Sequence, residues 1–183
     1  LGLAEAEAAL ASSLARLGLT AIPGPGFDSE SLPAVRRARA EAANAAAFQL
    51  IPIIELCRWS PGMVTAMGVS MGLASAAIMA KGTVAQKERW ALDLLTMDKI
   101  GAWAITEPGS GSDAFGSMRS TARRDGDEYV LNGSKTFITN GPYADTIVFI
   151  CKLDEGNPPE ERAILSFVLD SGMPGLEQSK PLK

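Results

Sequence analysis

The sequence predicts an α+β protein: an all-α helical first part, then the start of an antiparallel β region. Two observations carry this. Before residue 100, apolar residues recur at helical spacing among good helix formers, with start and stop signals between the runs. After residue 100 the apolar runs are short and separated by turn dipeptides, Asn132-Gly133 and Asn140-Gly141 among them.

Leu3, Leu10, Leu14 and Leu17 fall on one helical face, and Gly18 is placed to end that helix. A Pro/Gly loop spans 22–27, and Ser31-Leu32-Pro33 reads as the next helix start. Residues 34–51 are rich in Ala, Arg and Glu, and Pro52 is expected to kink or break that helix. Ser60-Pro61 reads as an N-cap followed by the first helical position, and Gly82 as the helix end. Residues 59–80 carry no charge and include Gly68-x-x-x-Gly72. Pro61 and the many small residues favour a buried core helix over a membrane span. Thr83 and Gln86 form a capping box that opens a helix carrying Trp90, Leu92, Leu94 and Leu95. Strands are then expected at 101–106, 128–131, 134–139, 146–153 and 163–169, with 107–117 a loop. Asn132-Gly133 is read as the hairpin turn that returns 134–139.

Composition removes several function classes. Histidine is absent, so Ser-His-Asp triads, Cys-His dyads and His-ligated zinc are impossible within the chain. Net charge is −4 and no dense basic cluster occurs, which argues against nucleic acid or anionic membrane as partner. Arg36, Arg37 and Arg39 read as a solvated helix face. Cys57 and Cys151 sit in no metal spacing and read as buried free thiols of a reducing compartment. No signal peptide is expected, and the first residue, Leu1, together with the unclosed end at Lys183 reads as a fragment.

Chemistry concentrates in residues 103–113, WAITEPGSGSD. A strand runs into a Gly-rich loop in which Gly109 and Gly111 allow close approach of a ligand. Thr106, Ser110 and Ser112 offer hydroxyls. Neither a Walker loop nor a dinucleotide fingerprint is present. Taken alone this is a plain turn as readily as a binding loop.

The string AWAITEPGSGSD, followed by DGDEYVLNGSKTFITNG and preceded by KGTVAQKERW, resembles the acyl-CoA dehydrogenase family. The resemblance covers about residues 50–183 well and the first 50 loosely. It implies a helical N-terminal domain over 1–99 and a partial β middle domain over 100–183, without the family's C-terminal helical bundle. It implies FAD as cofactor and an acyl-CoA substrate. It also implies an electron-transfer flavoprotein as acceptor, and a homodimer or homotetramer in the cytoplasm, or in the mitochondrial matrix of a eukaryote. By position, Trp103, Ile105 and Thr106 line the flavin ring, with Gly111 and Ser112 on its phosphate side and Ser112 also near the acyl-CoA. Phe137 packs on the ring, followed by Ile138, and Thr139 places its hydroxyl by the reactive nitrogen. Strand alternation would put Phe137 and Thr139 on one face. Phe137 and Trp103 read equally as core, and Thr139 as turn chemistry. Glu107 and Glu55 read as structural, and no residue matches the family's catalytic base.

Two departures stand out: Phe137 replaces the usual Trp, and region 20–35 lacks the usual Gly-Gly loop. Two other readings stay open. One is a non-catalytic assembly module of the same fold. The other is a related flavoenzyme acting on acyl-carrier-protein or nitroalkane substrates.

Overall fold

The computed structural model describes residues 41, 44 and 50–181. The chain divides into two units, Leu1–Pro52 and Ile53–Lys183. The expected helix over 3–17 and the region without the Gly-Gly loop lie outside the described residues; of the helix expected over 34–51, residues 41, 44, 50 and 51 are described and are helical.

Residues 50–57 form helix α1, so Pro52 does not close a helix that runs on to Cys57. Arg58 pairs with Glu55 at 3.5 Å on the surface. Helix α2 spans Pro61–Lys81. Ser60 caps it by accepting the Met63 N–H at 3.4 Å, and Pro61 takes a first-turn position that needs no donor. Its middle, Gly68–Ala74, widens into π-helix, where the Ser75 hydroxyl donates to the Met71 carbonyl. Gly82 ends it, since a Cβ there would meet the Ile78 carbonyl oxygen at 2.6 Å. Helix α3 (residues 84–96) opens on the expected capping box: the Gln86 N–H donates to Thr83 Oγ1 at 3.3 Å, and the Thr83 N–H to Gln86 Oε1 at 2.8 Å. It closes at Met97, which is left-handed.

Five strands follow: β1 (Gly101–Ala104), β2 (Thr121–Asp125), β3 (Glu128–Asn132), β4 (Thr146–Leu153) and β5 (Ile164–Asp170). They form one sheet centred on β4, whose first seven residues are all buried. β1 and β2 pair with β4 in parallel, at 146–149 and 152–153, while β5 pairs with it antiparallel along 146–152. The α+β class holds, and the sheet is mixed rather than wholly antiparallel. The long excursion 105–145 supplies the crossover that a parallel β1–β4 pair requires.

Each face of β4 has its own core. Val148 packs with Ala74, Ile78, Ala91 and Leu94 of the helices, while Ile147, Phe149 and Cys151 pack with Ala102, Ala104, Ala122 and Ala144. Helix α2 closes on β1 because Gly101 has no side chain: a Cβ there would lie 3.0 Å from Ala74 Cβ and 3.1 Å from Leu94 Cδ2. The Gly101 N–H donates to the buried Ser70 Oγ at 2.6 Å. Asp170, ending β5, accepts from Trp90 Nε1 and Arg89 Nη2, each at 2.7 Å, and so ties α3 to the sheet. By length and composition α2 is apolar enough to cross a membrane, but its Ser70–Ala74–Ile78 face is docked on the sheet and α3. The expectation of a buried helix is met on that face alone, since Met63, Met71, Leu73 and Met79 are exposed.

Three strand expectations change. β2 was not anticipated, because Thr-Ala-Arg-Arg-Asp buries only Ala122 fully and shows no apolar alternation. The hairpin is β2–β3 and turns at Gly126-Asp127, with Gly126 at φ 63°, rather than at Asn132-Gly133. Residues 134–139 form no strand. Gly133 passes so close to Ser120 that a Cβ would sit 2.1 Å from its Oγ, and Phe137 at φ 53° breaks the extended path. The second turn forms as expected: Asn140 is left-handed, and the Gly141 N–H donates to the Ile138 carbonyl at 2.9 Å.

Cys57 is half-buried and Cys151 buried, and both are free. Burial pushes the Cys151 thiol up to about 11.

Candidate functional site

The chain leaves β1 at Ala104 and runs beside residues 133–139. The Thr136 N–H donates to the Thr106 carbonyl at 2.9 Å. Beneath this crossing lies an ion pair with both side chains nearly closed off from water, Lys135 at 6% and Glu107 at 5% exposure. Lys135 Nζ donates to Glu107 Oε1 at 2.8 Å and to the Ile105 carbonyl at 3.1 Å, and lies 5.1 Å from the centre of the Phe149 ring. Glu107 also accepts the backbone N–H groups of Arg119 at 2.7 Å and Ser120 at 2.9 Å. Burial alone would raise the Glu107 carboxyl. The Lys135 ammonium and the two N–H donors outweigh it and hold the group at about 2. Glu107 is therefore ionised and fully engaged, a structural anchor and a poor general base.

Next to this crossing an open hollow of about 870 Å³ lies on the Ile147–Phe149 face of the sheet. Ala104, Lys135–Thr139 and Phe149 line it together with residues 175–181. Gln178 Nε2 pins that second segment by donating to the Gly141 carbonyl at 2.8 Å and the Ala144 carbonyl at 2.9 Å. Phe137 is 78% exposed, held out by its left-handed backbone.

The structure brings Phe137, Ile138 and Thr139 together on the hollow, but without the strand alternation expected to align them. Ile105 and Thr106 lie at the crossing, half-buried, and do not line the hollow. Trp103 points to the other face of the sheet, where it packs against the helix-side core. Gly111 and Ser112 are exposed in the loop, and a Cβ on Gly109 or Gly111 would meet nothing within 4 Å. Ser110, expected to offer a hydroxyl, is buried and donates it to the carbonyls of Asp113 and Ala114. The hydroxyls of Thr106, Ser112 and Thr139 make no hydrogen bond among the described residues. Lys135 and Gln178 were not foreseen. Lys135 finds its partner 28 positions away, and no local pattern announces that.

Residues 102–183 match the family model described as acyl-CoA dehydrogenase, middle domain. Mitochondrial isovaleryl-CoA dehydrogenase of Pongo abelii is 38% identical over 128 residues, which is 70% of this chain and 30% of that protein. The structure of butyryl-CoA dehydrogenase from Megasphaera elsdenii superposes with a TM-score of 0.62 at 35% identity, covering 67% of this chain and 32% of that one. An acyl-CoA dehydrogenase from Bacillus anthracis, solved with FAD, superposes with a TM-score of 0.58 at 35% identity, covering 67% and 20%. The chain thus spans about a third of the length of the curated relatives it matches. The match covers the segment that holds the β1 exit, the Glu107–Lys135 pair and the hollow, and over that segment the chain belongs to the acyl-CoA dehydrogenase family.

Proposed function

We propose that the full-length protein is an FAD-dependent dehydrogenase that introduces a 2,3-double bond into an acyl-CoA thioester. The observation that carries this reading is Phe137: a large aromatic ring, 78% exposed, held at φ 53° beside the unengaged Thr139 hydroxyl in the segment that matches the family. An exposed ring of this kind suits stacking on a planar heteroaromatic, and the unpaired hydroxyls of Thr106, Ser112 and Thr139 suit its polar edges and phosphates. The donor set therefore fits a flavin dinucleotide. When bound, FAD supplies the two-electron acceptor for the substrate's β-hydride.

In this reading Phe137 and Ile138 pack on the flavin ring and Thr139 hydrogen-bonds its reactive edge. Ile105 and Thr106 meet the pyrimidine side, and Trp103 braces them from the sheet. Gly111 and Ser112 approach the phosphates, Ser112 also the thioester substrate. Glu107 is the buried carboxylate among the described residues, and with its charge committed to Lys135 it takes no proton. We assign α-proton removal to a carboxylate outside residues 1–183 and expect these residues alone not to turn over acyl-CoA. The full-length protein would pass its electrons to an electron-transfer flavoprotein and work as a dimer or tetramer in the cytoplasm or mitochondrial matrix.

The test is a visible spectrum of the full-length protein before and after acyl-CoAs of several chain lengths. Bands at roughly 370 and 450 nm that one substrate bleaches support the reading. A protein that stays colourless with added FAD refutes it.

A further inference from the structure

We propose that Lys135 and Glu107 are a positioning pair for the cofactor site: the buried ammonium fixes the segment bearing Phe137 and Thr139 and polarises the Ile105–Thr106 peptide that faces the same ligand. This rests on the flavin reading and names two residues that set the geometry of its site without touching the ring.

The first observation is mechanical. Residues 134–139 have no ladder to hold them, and their one main-chain bond to the β1 exit is from the Thr136 N–H to the Thr106 carbonyl. Besides the packing of Ile138 on the sheet core, the side chain that anchors the segment before the turn at 140–141 is Lys135, driven under the crossing to Glu107 and Ile105. Glu107 is itself fixed by the N–H groups of Arg119 and Ser120, so its position does not follow Lys135. Phe137 lies two residues on in a left-handed conformation, which persists in a non-glycine residue only when its surroundings impose it.

The second observation is electronic. Lys135 Nζ donates to the Ile105 carbonyl at 3.1 Å, and that carbonyl shares its peptide plane with the Thr106 N–H. The Thr106 N–H has no partner among the described residues. A cation on the oxygen draws density from the amide and makes the N–H a stronger donor, an effect that low dielectric magnifies. A flavin carbonyl or ring nitrogen placed there would receive a strengthened bond.

The test uses the full-length protein with Lys135→Met, Glu107→Gln and the double variant. Each single change leaves one buried charge unpaired and should lower the unfolding midpoint. The double change removes both charges and should recover most of that stability. A purely structural pair would then recover FAD affinity too. A positioning pair would not: we expect the double variant to hold FAD about tenfold more weakly than wild type, with a shifted flavin absorption band. If it binds FAD within about twofold of wild type with an unchanged spectrum, the inference is overturned and the flavin reading stands. If wild type itself has no affinity for FAD, both fall. Lys135→Arg guards against a double variant that does not fold. It keeps the charge and misplaces the donors, so FAD should bind about threefold or more weakly in a stable protein, and undiminished affinity overturns the proposal.

Discussion

Consider replacing Glu107 by Gln and following stability down the pH scale. The wild-type carboxyl sits at about 2 in the folded chain against an ordinary 4.5. A depressed folded value means that the ionised form is bound more tightly by the native state. Its contribution is complete above about pH 5 and disappears as pH falls toward 2. The gap of roughly two and a half pH units corresponds to about 3 kcal/mol, with the side chain buried enough for little solvent discount. The neutral amide cannot offer this. It also leaves the Lys135 ammonium without its counter-charge in a site only 6% exposed, and breaking a buried pair typically costs about 3–5 kcal/mol. The two routes to the number agree in size. Urea unfolding at matched pH values reads it directly. At pH 7 the Gln variant should be about 3 kcal/mol less stable than wild type, and the difference should close as pH drops from about 4.5 through about 2, as the wild-type side chain also becomes neutral. A difference that stays constant across that range would refute the electrostatic account and leave only lost packing.

Three further outcomes follow from the same structure. Asn140→Ala should cost about 2–3 kcal/mol in urea unfolding, because Nδ2 donates to the carbonyls of Ala66 and Gly101, both at 2.9 Å, from a backbone at φ 65°; Asn140→Gly should cost about 1 kcal/mol less, since it relieves the conformation but not the lost bonds. Gly133→Ala should cost on the order of 1–3 kcal/mol, its methyl landing 2.1 Å from Ser120 Oγ, and Ser120→Gly in the same chain should restore part of that in thermal unfolding. With a disulfide reagent at pH 8, Cys57 should label in the native protein and Cys151 only on unfolding. At a thiol value near 11 about one molecule in a thousand is thiolate, and the residue is buried; equal labelling rates, read by peptide mass spectrometry, would contradict this.

The features that could be read from the sequence are those whose causes are local. The Ser60 cap with Pro61, the Thr83–Gln86 box and the stop at Gly82 each act within four residues, and all three form. β4 declares itself because a strand covered on both faces needs an unbroken apolar run, and 147–151 supplies it. β2 carries no such mark: it lies between β4 and β3, yet Arg123, Arg124 and Asp125 are exposed, and only its pairing with β3 and the end of β4 makes it a strand. Residues 134–139 mislead for a related reason. Lys135, Phe137 and Thr139 alternate as a strand would, and Asn132-Gly133 is a strong turn signal, but Ser120 crowds Gly133 and Glu107 captures Lys135. Both partners come from chain already laid down on the other side of the crossing. Charge pairing at that range leaves no period in the sequence, because one lysine and one glutamate can meet from any spacing that topology permits. The motif contains both residues of the pair without revealing that they touch. Glu107 reads as structural from the motif, and its three hydrogen-bonded neighbours, Arg119, Ser120 and Lys135, give the reason: its charge is already committed.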